Sequence, residues 1–206
     1  LSDDRMRHAK SGNWWETAPH RALSNNSVSY TEKPDMETFL REWTALVESK
    51  SGERGIFNRQ ASKKQAAKND RRDTEWEFGT NPCSEIILRP YQFCNLSEVV
   101  VKATDDLKSL SNKVRLATII GTLQSTLTKF PYLRKVWQNN TEEERLLGVS
   151  LTGIMDNPLL TAKNKGLAQT LDHLRLVAVD TNKEWSERLG VQQSTAITCV
   201  KPSGTV

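Results

Sequence analysis

Apolar residues recur at helical spacing in two stretches of the chain. In residues 35–49, directly after Pro34, the apolar positions lie three or four residues apart and are Met36, Phe39, Leu40, Trp43, Leu46 and Val47. Residues 111–130 carry a similar stripe, made of Val114, Ala117, Ile120, Leu123 and Leu127. Because residues at this spacing share one face of a helix, both stretches are predicted to be amphipathic helices.

Two further helices are predicted from signals at helix ends. Thr141 is followed three residues later by Glu144, which matches a capping box. In this motif the threonine hydroxyl accepts the backbone N–H of the glutamate, and the glutamate carboxylate accepts the backbone N–H of the threonine. This motif predicts a helix that begins at Thr141 and runs towards Met155. Another helix is predicted over residues 162–189, closed by Gly190, because glycine often follows the last helical residue.

Short apolar runs between these helices are typical of strands. We predict strands over residues 27–30, 86–88, 95–102 and 195–200. Strands and helices therefore alternate along the chain, and this order indicates an α/β fold.

Composition narrows the class of protein. The 206-residue chain has 36% hydrophobic residues and three cysteines. It has no apolar run of about eighteen residues and no signal-peptide pattern, so we expect a cytoplasmic protein without a membrane partner. Because the cysteines include no Cys-x-x-Cys pair, we expect no metal site and no disulfide framework, only reduced thiols.

The formal net charge of +4 raises a competing function. The stretch from Arg59 to Arg72 has few apolar residues, and its other cations are Lys63, Lys64, Lys68 and Arg71. Such a cluster is typical of nucleic-acid-binding surfaces. However, acidic residues offset it, and no aromatic side chain alternates with the lysines to stack on bases. A solvated loop or helix face is the favoured interpretation.

The segment most indicative of chemistry is Asn81-Pro82-Cys83-Ser84-Glu85, with Cys94 eleven positions after Cys83. In an extended segment, alternate side chains project from one face at steps of roughly 6.6 Å, so an amide, a thiol and a carboxylate can converge on one small polar substrate if the segment curves. The intervening Pro90 favours a loop or hairpin that returns Cys94 towards Cys83. Alternatively, both cysteines are small buried hydrophobic residues.

The run from Gly79 to Ile86, followed by Cys94-Asn95-Leu96, resembles the finger loop of ribonucleotide reductases. Its Asn-Pro-Cys form is similar to the adenosylcobalamin-dependent class, whereas the diiron class more often has Asn-Leu-Cys. Further blocks of similarity appear in the family's order, and they are residues 22–28, 52–58, 143–153 and 201–206. The resemblance therefore covers most of the chain.

This resemblance implies a role for each residue of the finger loop, residues 79–96. Cys83 matches the thiyl radical that abstracts the 3′ hydrogen of the ribose. Glu85 matches the base that takes the 3′ hydroxyl proton. Asn81 matches the amide that orients the ribose hydroxyls and stabilises the developing carbonyl. Cys94 matches a thiol that supplies reducing equivalents and forms a disulfide.

The resemblance also implies a fold and partners. It implies that residues 1–206 are part of a ten-stranded α/β barrel that contains the finger loop. The turn at residues 201–206 resembles the family's phosphate-binding turn, with Ser203, Gly204 and Thr205 as substrate contacts. The implied cofactor is adenosylcobalamin. The implied partners are a ribonucleotide, with the triphosphate favoured, a thioredoxin-like dithiol and a deoxynucleotide effector. The closest alternative is a diiron-class large subunit; a nucleic-acid module is more distant.

One feature departs from the family pattern. The redox partner of Cys94 is expected upstream of the finger loop, yet no cysteine precedes Cys83. Cys199 lies in an apolar run, and we expect it to be a buried structural residue. Because the chain begins at Leu1 and stops within a motif, it is expected to be an internal segment that does not turn over by itself.

Overall fold

The computed structural model describes residues 4–22, 24, 26–50, 54–68 and 70–202. The chain divides into two compact units, the first comprising Leu1–Lys68 and Asp73–Ile87 and the second Asn69–Arg72 and Leu88–Val206. The α-helices are α1 Asp4–Arg7, α2 Trp14–Thr17, α3 Met36–Ser49, α4 Arg59–Ala67, α5 Leu107–Gln124, α6 Lys135–Glu144 and α7 Leu167–Leu189. The strands are β1 Ser27–Tyr30, β2 Gly55–Asn58, β3 Gly79–Thr80, β4 Ile87–Leu88, β5 Asn95–Val100 and β6 Leu147–Thr152.

The first unit contains a parallel pair of strands connected through α3. β1 pairs with β2 in a register that places Ser27 opposite Gly55 and Tyr30 opposite Asn58. α3 begins where predicted, because the Asp35 carboxylate accepts the Thr38 N–H at 2.8 Å. The same hydrogen bond lowers the pKa of Asp35. The predicted helix over residues 35–49 and the predicted strand over residues 27–30 are therefore confirmed.

A buried ionic cluster lies at the centre of the first unit. Glu42 on α3 is 1% exposed, and its carboxylate binds Arg54 at 2.6 Å and Arg7 at 3.2 Å. Arg54 also donates to Asn26 Oδ1 at 2.8 Å. Meanwhile much of the predicted apolar stripe of α3 is exposed, with Met36 71% and Val47 58% accessible. The helix is therefore held by charge pairing more than by burial of hydrocarbon.

The second unit has a conventional α/β core. β5 and β6 are parallel, with Asn95 opposite Leu147 and Val100 opposite Thr152. Residues 196–199 continue alongside β6, where Leu147 N donates to Ala196 O at 3.0 Å. Helices α5 and α7 pack together and supply apolar residues to the core beneath these strands. Asp106 and Ser109 form a capping box at the start of α5.

Several predicted elements differ from the structure. The helix predicted from Thr141 to Met155 is wrong, because Thr141 lies near the end of α6 and Leu147–Thr152 is a buried strand. The Thr141 hydroxyl donates backwards, to Trp137 O at 2.8 Å. α5 begins at Leu107 and ends at Gln124, so the predicted stripe residue Leu127 lies outside it and is 72% exposed.

The remaining elements agree with the sequence more closely. α7 ends at Leu189 and is closed by Gly190 in the left-handed conformation, as predicted, although it begins at Leu167. The predicted strand at 195–200 is reduced to the single bridge between Val149 and Thr198. The α/β class is confirmed, and the ten-stranded barrel stays a prediction. Among the described residues, no helix is long and apolar enough to cross a membrane.

Candidate active site

Residues 81–86 form a closed turn, called here the Cys83 turn. The Asn81 N–H donates to Ile86 O at 3.3 Å, and the Ile86 N–H donates to Asn81 Oδ1 at 3.0 Å. Thr80 adds a third bond, from its hydroxyl to Ile86 O at 3.0 Å. These bonds join the two ends of the turn, so its shape is set by hydrogen bonding within a few residues.

The turn places the Cys83 side chain at an exposed position. Ser84 adopts a left-handed conformation with φ of 64° and donates its N–H to Asn81 O at 3.0 Å. This reversal makes Cys83 exposed while Ile86 is buried. The extended segment predicted from the alternating residue types is therefore wrong. Asn81, Cys83 and Glu85 therefore belong to one closed turn rather than to a curved strand.

Asn81 and Glu85 flank this thiol in different environments. Asn81 is 9% exposed, and its Oδ1 already accepts the Ile86 N–H. Within the described part of the chain its Nδ2 donates no hydrogen bond, so that amide nitrogen is the group available to a ligand. One carboxylate oxygen of Glu85 is shielded from solvent. The turn thus carries an exposed thiol at Cys83 and, two residues later, a carboxylate with one shielded oxygen.

A cavity of about 300 Å³ adjoins the Cys83 turn within the first unit. β1 contributes Ser27 and Ser29 to its wall, β2 contributes Phe57, and α4 contributes Arg59. Residues 79–82 complete the lining. The wall therefore combines apolar surface with several polar side chains and one cation. The position of Arg59 beside this turn differs from the solvated basic stretch predicted over residues 59–72, because no local pattern marks the contact.

Cys94 belongs to the second unit and is half-buried. It follows a turn that is fixed by Gln92, whose Oε1 accepts the Arg89 N–H at 3.0 Å and the Arg72 Nη2 at 3.2 Å. Gln92 Nε2 in turn donates to Glu144. After the cysteine, the Asn95 N–H donates to Leu146 O at 2.9 Å. The backbone on both sides of Cys94 is thus anchored.

Glu144 is the centre of that anchor. Its carboxylate receives two hydrogen bonds from Arg72, both of 2.9 Å, and it is 3% exposed. Asn140, one helical turn earlier, donates to Pro90 O at 2.9 Å. Sequence reasoning missed this cluster, because Arg72, Gln92 and Glu144 are far apart in the chain and are common surface residues.

The basic stretch from Arg59 to Arg72 is not one solvated face. Lys64 and Lys68 are exposed, but Arg72 is buried in its ion pair with Glu144. Arg71 donates to Ser194 O at 3.3 Å, and burial lowers its pKa, with repulsion from Arg175 adding to the effect. The interpretation of the whole stretch as solvated is wrong, because two of its cations are used inside the second unit.

The remaining predicted residues lie at the end of the chain. Cys199 is half-buried and lines a cavity of about 500 Å³ in the second unit, with Leu151 and Leu174 among its neighbours. Lys201 N donates to Ser150 Oγ at 2.9 Å. Ser203, Gly204 and Thr205 lie outside the described residues. The described residues contain no group of three His, Cys, Asp or Glu arranged to bind a metal ion.

Comparison with known proteins gives a consistent set of relatives. Over 218 residues the chain is 31% identical to the adenosylcobalamin-dependent ribonucleoside-triphosphate reductase of Lacticaseibacillus paracasei, a match that covers 91% of this chain and 28% of that protein. The reductase of the same name from Lactobacillus gasseri is 30% identical over 221 residues, with the same coverage. No family model matches the chain.

A solved structure has the same fold. The crystal structure of a B12-dependent (class II) ribonucleotide reductase superposes with a TM-score of 0.63 and 24% identity, covering 98% of this chain and 31% of that one. The fold is thus that of a segment of a class II ribonucleotide reductase. The sequence matches identify the chain as a relative of the adenosylcobalamin-dependent ribonucleoside-triphosphate reductases, and it spans about 28% of their length.

Proposed function

We propose that this chain contributes the radical-bearing loop of an enzyme that reduces ribonucleoside triphosphates to 2′-deoxyribonucleotides for DNA synthesis. The observation that carries the proposal is the exposed Cys83 thiol, set between Asn81 and Glu85 in a closed turn. Support comes from relatives that bear the name ribonucleoside-triphosphate reductase and align with 91% of the chain.

The first step is hydrogen transfer to Cys83. A thiyl radical at Sγ takes the 3′ hydrogen of the ribose, which leaves a thiol on the protein and a radical on the 3′ carbon. Sulfur–hydrogen bonds and activated carbon–hydrogen bonds are similar in strength, so the same thiol can later return the hydrogen. Cys83 is exposed at the turn, so its sulfur is accessible for this transfer. Adenosylcobalamin, when bound, supplies the radical equivalent by homolysis of its cobalt–carbon bond.

Glu85 and Asn81 act on the ribose hydroxyls. Glu85 accepts the 3′ hydroxyl proton, which makes the 3′ radical more electron-rich and promotes loss of the 2′ hydroxyl as water. Asn81 uses Oδ1 to close the turn, so only its Nδ2 donates to the sugar, where it stabilises the developing carbonyl oxygen. One amide therefore fixes the loop and orients the substrate.

Cys94 completes the electron balance. Reduction consumes two thiols, which give two electrons and two protons and become a disulfide, while the 2′ oxygen leaves as water. We assign one of these thiols to Cys94 and the other to a cysteine elsewhere in a complete reductase. A thioredoxin-like dithiol then restores the pair. We also propose that the substrate phosphates contact Ser203, Gly204 and Thr205, and that a deoxynucleotide is the effector. The reaction is proposed to take place in the cytoplasm, in a complete enzyme whose segments form the ten-stranded barrel.

The test is a Cys83→Ser substitution in a full-length reductase that carries this segment, with Cys199→Ser as the matched control. We expect Cys83→Ser to abolish deoxynucleotide formation while nucleotide Kd changes by only a few fold, because serine keeps the shape but cannot form a comparable radical. Cys199→Ser should retain turnover. Wild-type-like turnover by Cys83→Ser would refute the proposal.

A reconstitution assay distinguishes the adenosylcobalamin-dependent class from the alternative, a diiron-class large subunit. We expect the unsubstituted full-length enzyme to form deoxynucleotide with added adenosylcobalamin and no second subunit. Turnover that instead requires a separate radical-generating subunit would assign the segment to the diiron class. Turnover of neither kind, combined with salt-sensitive DNA binding, would favour the nucleic-acid module.

A further inference from the structure

The side of the first unit that adjoins the Cys83 turn is incompletely packed. The cavity of about 300 Å³ lies against residues 79–82, which lead into the turn. The Ser29 hydroxyl in its wall is shielded from solvent and has no hydrogen-bond partner among the described residues. Close packing normally fixes the position of a loop to a fraction of an ångström. On the side of the turn that faces this cavity, hydrogen bonds therefore help to define where the turn lies.

Arg59 supplies two such interactions. Its Nε donates to Phe78 O at 2.9 Å, and its Nη1 donates to Thr31 Oγ1 at 3.1 Å. Phe78 is fully buried and lies three residues before Asn81, whereas Thr31 directly follows β1. The guanidinium therefore connects the end of β1 and the start of α4 to the backbone that enters the turn.

The chemistry of arginine suits this connection. Its planar fork directs several donors at fixed angles, so two bonds define an orientation as well as a distance. Among the described residues Arg59 forms no ion pair with a carboxylate. No acidic side chain there competes with Phe78 O and Thr31 Oγ1 for its N–H donors. A lysine at this position has one tetrahedral ammonium and cannot reach both acceptors in the same geometry.

We propose that Arg59 is a positioning residue that fixes the Cys83 turn through the Phe78 carbonyl. The catalytic consequence rests on the proposed function, because the turn must hold the Cys83 sulfur at reacting distance from a ribose carbon. A misplacement of about 1 Å is enough to lower a rate by up to about a hundredfold. Substrate binding contacts made elsewhere are unaffected by such a displacement.

The experiment compares Arg59→Met, Arg59→Lys and Lys64→Met in a full-length reductase that carries this segment. Lys64 is exposed on the same helix, so Lys64→Met removes the same charge without touching the turn. Two quantities are measured: hydrogen exchange of the peptide amides of residues 79–86, without cofactor or substrate, and kcat and KM for the ribonucleotide. The melting temperature of each variant records general damage.

We expect Arg59→Met to speed exchange at residues 79–86 at least tenfold and to lower kcat about ten- to a hundredfold, with KM within about threefold. Arg59→Lys should lie between Arg59→Met and the unsubstituted enzyme, and Lys64→Met should match the unsubstituted enzyme. Unchanged exchange in Arg59→Met would overturn the proposal, as would faster exchange spread evenly over the first unit. If the unsubstituted enzyme shows no ribonucleotide reduction, the proposed function fails, while the exchange data still decide whether Arg59 positions the turn.

Discussion

Twelve buried hydrophobic residues form one core in the second unit, whereas the centre of the first unit is a carboxylate held by two arginines. In the first unit, α3 buries Glu42 and exposes Met36 and Val47. In the second unit, β6 is buried along almost its whole length, as expected for a parallel strand covered on both faces. Cys83, the proposed radical thiol, lies in the unit that is organised by hydrogen bonds and charges.

This difference explains how each candidate cysteine is held. Cys83 projects from a turn that is closed by Asn81, and Arg59 donates to the backbone that enters this turn beside a cavity. Cys94 directly precedes β5, and the first residue of this strand, Asn95, donates its N–H to Leu146 O just before β6. Directional polar contacts set the orientation of a short turn, whereas a hydrophobic core sets the position of a strand. Substitutions that remove either kind of support test the comparison.

The largest loss of stability is expected from Glu42→Ala. Arg54 would remain 6% exposed without its carboxylate, and breaking one side of a buried ion pair costs about 3–5 kcal/mol. The double variant Glu42→Met with Arg54→Met removes the more buried of the two ion pairs and leaves only Arg7 without its Glu42 contact, so it should be less destabilised than Glu42→Ala. Denaturant unfolding followed by hydrogen exchange in the first unit measures both. Equal losses in the two variants would show that the charge pairing is not what supports this unit.

In the second unit, Leu110→Ala should cost about 2–5 kcal/mol, because Leu110 is fully buried in the core and alanine leaves a cavity. Leu116→Ala on the same helix is the matched control. Leu116 is 61% exposed, so its truncation should change the free energy of unfolding by less than about 0.5 kcal/mol. Similar losses at both positions would contradict the assignment of the core.

A smaller difference is expected between two glycines, one at the end of β6 and one after α7. Gly153 has a φ of 78°, and a Cβ there would lie 2.5 Å from Val101 O. Gly190 has a similar φ of 66° but open space around it. Alanine at Gly190 should therefore cost about 1–2 kcal/mol for the left-handed backbone alone. Gly153→Ala should cost about 1–3 kcal/mol more because of the clash, as measured by thermal unfolding. Equal losses of stability in Gly153→Ala and Gly190→Ala would show that the contact with Val101 O does not contribute.

The smallest effect concerns acid stability in the second unit. The Lys113 ammonium donates to Asp105, and together with the Lys102 N–H it lowers the pKa of this carboxyl to about 2. The unfolded chain titrates near the ordinary value of 3.8, so the contribution of Asp105 is complete above that pH and disappears as the pH falls through about 2. Asp105→Asn should flatten the fall of the melting temperature with pH in this window. The same dependence of melting temperature on pH in Asp105→Asn and the unsubstituted protein would contradict this role of Asp105.

Local signals in the sequence predicted local structure well. The helix predicted to begin after Pro34 and the Gly190 end are confirmed because each boundary depends on residues within one helical turn. The Thr141 helix failed because its apparent capping box lies inside α6, and tertiary pairing with β5 makes Leu147–Thr152 a strand. The Ser84 reversal and the Arg59 brace were also missed, since neither leaves a periodic pattern. The residue types of the site were visible in the sequence, but the turn depends on a left-handed backbone at Ser84, and Arg59 reaches Phe78 from 19 positions away in the chain.

The most direct test of the account is a kinetic isotope effect on the 3′ position of the substrate. A full-length reductase carrying this segment is given a ribonucleoside triphosphate with deuterium at the 3′ carbon. If the Cys83 sulfur abstracts that hydrogen, kcat/KM should show a primary isotope effect, and the Cys83→Ser enzyme should form no deoxynucleotide. Absence of the isotope effect together with normal turnover by Cys83→Ser would contradict the central role of Cys83.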